Sequence, residues 1–103
     1  MKKYMYVFYQ LKSFRETNYG WRGWDEAKDK FLIKDYKCVY SSDVEANTEI
    51  GALEKLFEQF NCDHPKDFKG CSMSVSDVVL LIENDSAKWY YCDSFGWKKI
   101  SVR

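Results

Sequence analysis

The last third of the chain constrains the fold most, because three strand-like runs follow one another there with only short turn signals between them. The runs cover residues 75–82, 88–92 and 97–102, and they are rich in β-branched and aromatic side chains. Residues 83–86 and 93–96 separate them with the Asn, Asp, Ser and Gly that favour tight turns. Strands joined by tight turns pair in antiparallel fashion, so this segment predicts an antiparallel meander.

The first half of the chain predicts two further strands. Residues 1–11 carry bulky side chains at most positions, which indicates an interior strand covered on both faces. Residues 36–42 alternate in character, which places Tyr36, Cys38 and Tyr40 together on one face. With the meander, these runs predict a mainly antiparallel sheet of about five strands.

Two helices are predicted, one short and one long. Residues 22–31 favour a short helix that Asp25 would cap. The long helix covers residues 49–60, and the Thr48 hydroxyl is its expected N-cap. Apolar residues recur along it at helical spacing and predict a buried stripe of Ile50, Leu53, Leu56, Phe57 and Phe60. The whole chain, residues 1–103, therefore predicts a single α+β domain with the long helix packed on one face of the sheet.

The aromatic content predicts a binding surface. The chain holds four Trp, eight Tyr and seven Phe among 103 residues, more rings than a core of this size encloses. Some rings are therefore expected at the surface, where aromatic residues supply much of the energy of protein association. Two clusters that mix aromatic and basic side chains are the candidates, namely Trp21, Arg22 and Trp24, and Trp97, Lys98 and Lys99.

The charges balance overall but not locally. Sixteen basic residues offset sixteen acidic ones, which argues against a general nucleic-acid-binding protein of high pI. Both ends of the chain are basic, and they would form one basic face if the first and last strands were adjacent. Residues 43–63 are acidic instead. We expect Glu49, Glu54 and Glu58 to face a basic partner.

The chain has no recognisable catalytic or metal-binding motif. Cys62, His64 and Cys71 offer three zinc ligands without a fourth at a known spacing. Asp77 and Asp93 are explained better by hydrogen bonds in turns than by acid–base chemistry. Neither a glycine-rich phosphate loop nor an apolar run of about 18 residues occurs. We therefore expect a cytoplasmic, non-enzymatic protein with no cofactor, no metal, no membrane contact and no small-molecule substrate.

Three motifs in the second half of the chain resemble the YodL-like domain. They are Pro-x-Asp-Phe-x-Gly at residues 65–70, Ser-Val-Ser-Asp-Val-Val at residues 74–79 and Tyr-x-Asp-Ser-Phe-Gly at residues 91–96. Cys92 and Trp97 depart conservatively from the residues expected at their positions. The resemblance implies a protein carried by plasmids and other mobile elements of Gram-positive bacteria, and it brings no established catalytic residues.

The resemblance also implies a function. Short YodL-like chains are similar to anti-defence proteins, including inhibitors of the RNA-guided nuclease Cas9. The first hypothesis is therefore an anti-CRISPR protein that binds Cas9 and blocks guide-RNA loading or DNA engagement without catalysis. The alternatives are binding of guide or single-stranded RNA through the two aromatic–basic clusters, RNA cleavage using His64 or the pair Asp77 and Asp93, and an accessory domain of a conjugative element with another protein partner.

Overall fold

The computed structural model describes residues 1–13 and 16–102, which form a single α+β domain. A single 3-10 turn, Ile33–Asp35, precedes the second strand. The strands and α-helices are β1 (Lys2–Leu11), α1 (Trp24–Ala27), β2 (Tyr36–Ala46), α2 (Glu49–Cys62), β3 (Val78–Glu83), β4 (Ser86–Cys92) and β5 (Trp97–Ile100).

The five strands form one sheet in the order β2-β1-β3-β4-β5, and each neighbouring pair is antiparallel. β3, β4 and β5 are neighbours in space as well as in sequence, which confirms the predicted meander. β1 lies inside the sheet between β2 and β3, whereas β5 forms the far edge. The first and last strands are therefore not adjacent, and the single basic face that depended on their pairing does not form.

β1 has one buried face and one partly covered face. Tyr4, Tyr6 and Phe8 are buried and belong to the core cluster under α2. Met5 lies on the opposite face and is 52% exposed. The predicted interior position of this strand is confirmed, but its predicted coverage on both faces is wrong near its start. The core on the second face begins only further along the strand, where Leu11 is buried.

A β-bulge interrupts the pairing of β1 with β2. The register shifts between Phe8 and Tyr9, which leaves Val39 as an extra residue on β2. As a result Tyr36 packs into the core on the second face, whereas Tyr40 packs against the core under α2. The predicted placement of these two tyrosines on one face is therefore wrong, because strict alternation holds only where no residue is inserted.

The two helix starts differ in how well local sequence predicts them. The Thr48 hydroxyl accepts a hydrogen bond from the Gly51 backbone at 3.0 Å, which confirms the predicted N-cap of α2. α1 covers only four residues of the predicted range 22–31. Its N-cap is Gly23, and Asp25 lies in the first turn instead. The predicted capping role of Asp25 is therefore wrong.

α2 buries a narrower stripe than predicted and extends two residues further. Leu53, Leu56 and Phe60 are fully buried against the sheet. Ile50 and Phe57 flank this stripe and are 50% and 39% exposed. No helix of the described residues is long and apolar enough to cross a lipid bilayer.

The second face of the sheet is covered by the segment between β1 and β2, not by a long helix. Tyr19, Ala27 and Tyr36 are buried there against Val78 and Tyr91 of the sheet. This packing brings the loop before α1 close to the end of β4. The candidate site lies at this end of the sheet.

Candidate functional site

The turn between β4 and β5 holds the start of α1 in place. Asp93 Oδ1 accepts hydrogen bonds from the backbone N–H of Trp24 at 3.0 Å and of Ser94 at 2.8 Å. The Asp93 N–H donates to the Gly96 carbonyl at 2.9 Å, and Gly96 has a φ of +83°, which glycine adopts without strain. The turn motif is thus fixed at both ends, and Phe95 projects from its tip.

The motif at residues 74–79 anchors the same region from inside the fold. Ser76 is fully buried and has a φ of 86°. Its N–H donates to the Cys92 carbonyl, its hydroxyl accepts from the Trp21 N–H at 3.1 Å, and its carbonyl accepts from the Tyr36 hydroxyl at 2.6 Å. One serine therefore joins β4, the loop before α1 and the start of β2.

Two depressions meet at the β4–β5 turn. One, of about 180 Å³, lies between the turn and α2. The other, of about 320 Å³, lies between the turn and α1. Asp93 and Ser94 line both of them. We call their combined lining the turn surface, which consists of Gly23, Asp25, Glu26, Glu54, Phe57, Val75 and residues 92–97.

The turn surface exposes two phenylalanine rings that the fold does not bury. Phe95 is 99% exposed, and Phe57 of α2 is 39% exposed. Burying one such side chain against a partner contributes about 1.5–3 kcal/mol. Large apolar side chains that are left in water beside a concave surface are typical of a binding site.

The turn surface is acidic. Asp25, Glu26, Glu54 and Asp93 contribute carboxylates to its lining, and among the described residues neither depression is lined by a lysine or an arginine. Arg22 lies next to it and forms an ion pair with Glu26 at 3.3 Å. This surface therefore combines apolar rings with negative charge.

The first predicted aromatic–basic cluster splits into different environments. Trp21 is 62% exposed, with a φ of 61°. The Arg22 side chain is exposed, while its carbonyl accepts a hydrogen bond from the Tyr91 hydroxyl at 2.6 Å. Trp24 is half-buried, because its ring packs on Tyr91 with centroids 4.9 Å apart. Trp24 thus stabilises the fold, whereas Trp21 and Arg22 remain accessible beside the turn surface.

The predicted acidic residues of α2 also separate. Glu49 binds Lys88 at 2.6 Å and the Tyr90 hydroxyl at 2.7 Å, and these two hydrogen bonds lower the pKa of its carboxyl group. It joins α2 to β4. Glu54 is exposed and belongs to the turn surface. Glu58 is exposed one helical turn further on and lines a separate shallow depression.

The second aromatic–basic cluster lies on the edge strand β5. Trp97 is half-buried against the core under α2 and lines the turn surface. Lys98 pairs with Tyr91, which is buried on the second face, whereas Lys99 pairs with Tyr90, which is buried under α2. Paired residues of neighbouring strands point to the same face. The two lysines therefore project from opposite faces of the sheet.

The residues considered for chemistry do not converge. Among the described residues, no group of three or more His, Cys, Asp and Glu side chains could hold a metal ion. The His64 ring lies against Phe68 in an exposed loop. Cys92 is buried, and burial together with the nearby Asp77 raises the pKa of its thiol to about 12. A thiol with this pKa is protonated and unreactive at neutral pH.

Asp77 is fully buried and occupies the space between the sheet and the loop before it. Its Oδ2 accepts hydrogen bonds from the Ser74 N–H at 2.9 Å and from Gln10 Nε2 at 3.2 Å. Its Oδ1 is buried without a hydrogen-bond partner among the described residues. Burial raises the pKa of this carboxyl group to about 7. Asp77 is out of reach of a large substrate, and Asp93 is engaged in the turn, so the two carboxylates do not form an open pair.

Sequence reasoning missed the two phenylalanines of the turn surface. Phe57 belonged to the predicted buried stripe, and Phe95 was noted only as part of a turn motif. The sequence does hold a signal for the exposure of Phe95. Its neighbours in the turn, Ser94 and Gly96, are too small to cover a large apolar side chain. Its exposure makes Phe95 the most prominent residue of the site.

The fold and its surface define a small α+β domain with one long helix on a five-stranded antiparallel sheet. A family model described as the YodL-like domain matches residues 5–102, and the chain belongs to this family. It is 31% identical over 71 residues to a Bacillus subtilis (strain 168) protein described as uncharacterized protein YodL, and the match covers 66% of this chain and 68% of that protein. No solved structure matches the chain.

Proposed function

We propose that this chain binds another protein through the turn surface and acts without catalysis of its own. The observation that carries the proposal is the 99% exposure of Phe95 at the tip of a turn that hydrogen bonds hold at both ends. A rigid turn presents the ring without a large loss of conformational entropy on binding. Phe57 beside it supplies a second apolar contact.

The charge of the turn surface specifies the chemistry of the partner. Four carboxylates surround the exposed rings, so the complementary surface carries lysine or arginine side chains around an apolar pocket. The geometry favours a protein over RNA as partner. Neither aromatic–basic cluster presents a joint surface for stacking on bases. In the first cluster Trp24 packs on Tyr91, and in the second Lys98 and Lys99 point to opposite faces of the sheet.

The finer proposal is that the partner is Cas9 and that the chain is an anti-defence protein. It is supported by the motifs that resemble the YodL-like domain, since short chains with this domain are similar to anti-defence proteins. The acidic surface supports it as well, because nucleic-acid channels of such nucleases are basic. Occupation of such a channel would block guide-RNA loading or DNA engagement. An accessory role in a conjugative element would use the same surface with a different basic protein.

Binding to purified Cas9, with and without guide RNA, tests the finer proposal. We expect association in the guide-free form and slower DNA cleavage after preincubation. Phe95→Ala should weaken binding by about tenfold or more, as for central aromatic residues of interfaces. Leu32→Ala, which removes an exposed apolar side chain elsewhere, is the matched control and should leave binding unchanged.

A photo-crosslinker placed at position 95 in the native host tests the coarser proposal independently. We expect a crosslink to a segment rich in lysine and arginine, and none from the same group placed at position 32. Glu54→Lys should abolish the crosslink by reversing the charge next to Phe57. Crosslinks to RNA alone, or equal yields from both positions, would refute binding of a protein through the turn surface.

A further inference from the structure

A second concave surface lies at the same end of the sheet, between β1, β2 and the loop that follows α2. Its volume is about 420 Å³, and it shares no lining residue with the turn surface. We call it the lysine cleft, since three of its lining residues are Lys12, Lys37 and Lys69, which come from three separate segments of the chain. A cleft of this size holds a small ligand of about the size of a nucleotide.

The positive charge of the lysine cleft is not neutralised by the protein. None of the four ion pairs found among the described residues includes Lys12, Lys37 or Lys69, and no described acidic residue lines the cleft. Asp35 and Asp67 lie two positions from Lys37 and Lys69, but their carboxylates accept hydrogen bonds from Tyr19 and Tyr40 and form no ion pair with these lysines. Three like charges around one cavity repel one another, and an anion in the cleft would relieve that repulsion.

The wall of the lysine cleft is fixed before any ligand arrives. Gln10 is buried, and its Oε1 accepts from the Cys71 N–H at 3.1 Å while its Nε2 donates to the Cys71 carbonyl at 2.8 Å. The same Nε2 donates to the buried Asp77. The side chain of Gln10 therefore clamps the loop carrying Lys69 onto β1, opposite Lys37 on β2.

Gly70 shows how closely this loop approaches the strand. A Cβ atom added there would lie 2.7 Å from Gln10 Oε1 and 2.7 Å from a ring carbon of Phe68. A larger residue at this position would require the Gln10 side chain or the Phe68 ring to shift. Gly70 thus lets the loop that carries Lys69 pack directly against the Gln10 side chain.

We propose that the lysine cleft binds a ligand with two or more phosphate groups. Lysine ammonium groups bind phosphate as separate point charges, and three of them match the charge of a diphosphate. No aromatic side chain lines the cleft among the described residues, so nothing there would stack on the bases of single-stranded RNA. The ligand is recognised through its phosphates, whether it is inorganic pyrophosphate or a nucleoside diphosphate.

Titration of the full chain with inorganic pyrophosphate, followed by calorimetry and by ³¹P NMR, tests the proposal. We expect a Kd below about 1 mM at 50 mM salt, weakening as salt screens the charges. Each single Lys→Gln substitution at positions 12, 37 and 69 should weaken binding about fivefold to tenfold. Absence of pyrophosphate binding to the unaltered chain would overturn the proposal.

A control triple variant distinguishes binding in the lysine cleft from general attraction of pyrophosphate to a positively charged protein. K28Q/K30Q/K34Q removes the same charge from exposed lysines outside the cleft and should bind pyrophosphate as the unaltered chain does, whereas K12Q/K37Q/K69Q should not bind. Equal loss in both variants would refute the site. Gly70→Ala keeps all three lysines and should still lose affinity if circular dichroism shows it folded, and unchanged affinity would contradict the role of the loop.

Two further ligands identify the source of the phosphate. ADP binding more tightly than pyrophosphate would support the proposal and assign a nucleotide. Pyrophosphate binding at least as tightly as ADP would also support the proposal and would show that the cleft recognises only the phosphate groups. Binding of a single-stranded oligonucleotide without binding of pyrophosphate would overturn the proposal. None of these results depends on Phe95, so they are independent of protein binding through the turn surface.

Discussion

The free energy of unfolding is expected to fall as pH rises from 5 to 8, because of Asp77. This carboxyl group is fully buried, has one oxygen without a described partner, and has a pKa raised by burial from 3.8 to about 7. Between these two pKa values the folded state holds a proton that the unfolded state has released. A group whose carboxyl pKa is raised by folding stabilises the fold in its protonated form, and that stabilisation is lost as pH rises toward the folded pKa.

The size of the effect follows from the two pKa values. The difference of about 3 between the folded and unfolded pKa values corresponds to about 4 kcal/mol of stability between the limits of low and high pH. Between pH 5 and pH 8 the linkage relation gives a loss of about 2.7 kcal/mol. The lowered pKa of Glu49 acts in the opposite direction but below its ordinary value of 4.5, outside this window.

Urea unfolding at pH 5, 6, 7 and 8 measures this loss directly. Asp77→Asn keeps an acceptor for the Ser74 N–H and removes the titration, so its stability should vary little over the same range. At pH 8 the Asn variant should be as stable as the unaltered chain or more so. Asp29→Asn changes an exposed carboxylate and should retain the full pH dependence. Parallel slopes for the unaltered chain and Asp77→Asn would refute the assignment.

Three further predictions concern the stability of the domain. Phe95→Ala should change the free energy of unfolding by less than about 0.5 kcal/mol, because Phe95 is exposed. Phe60→Ala should lower it by about 3–5 kcal/mol, because Phe60 is buried, and urea unfolding of both variants measures the difference. Glu49→Gln should cost about 1 kcal/mol at pH 7 through loss of the pair with Lys88. The cost should shrink as the pH falls through the lowered pKa of the Glu49 carboxyl group, and a cost independent of pH would contradict this. Thr48→Ala should lower the stability by about 1 kcal/mol through loss of the α2 cap, with Thr48→Ser as the control that retains it.

Local sequence patterns were sufficient to predict the elements that are held together by residues close to one another in the chain. The meander and α2 were predicted because tight turns and an apolar stripe act over a few residues. The β-bulge was not predictable in this way, because Val39 becomes an extra residue only through the pairing of β2 with β1. The burial of Trp24 likewise depends on Tyr91, which is 67 positions away in the chain.

The candidate site was predictable in its parts but not in its arrangement. The turn motif and the acidic residue Glu54 were recognised from the sequence. Glu54 and Phe57 are neighbours through helical spacing, but the approach of the β4–β5 turn to them depends on how α2 crosses the sheet, which no local pattern specifies. The lysine cleft was missed for the same reason, since Lys12, Lys37 and Lys69 have no common spacing and converge only in the folded chain.

The extra residue at Val39 allows β2 to place tyrosine side chains on both faces of the sheet. Before it, Tyr36 supports the layer that holds α1, and after it, Tyr40 supports the layer that holds α2. Deletion of Val39 would restore uninterrupted hydrogen bonding between β1 and β2. The side chains on one side of the deletion would then point to the opposite face of the sheet. The number of residues in this strand therefore determines which of the two cores each of its tyrosines joins.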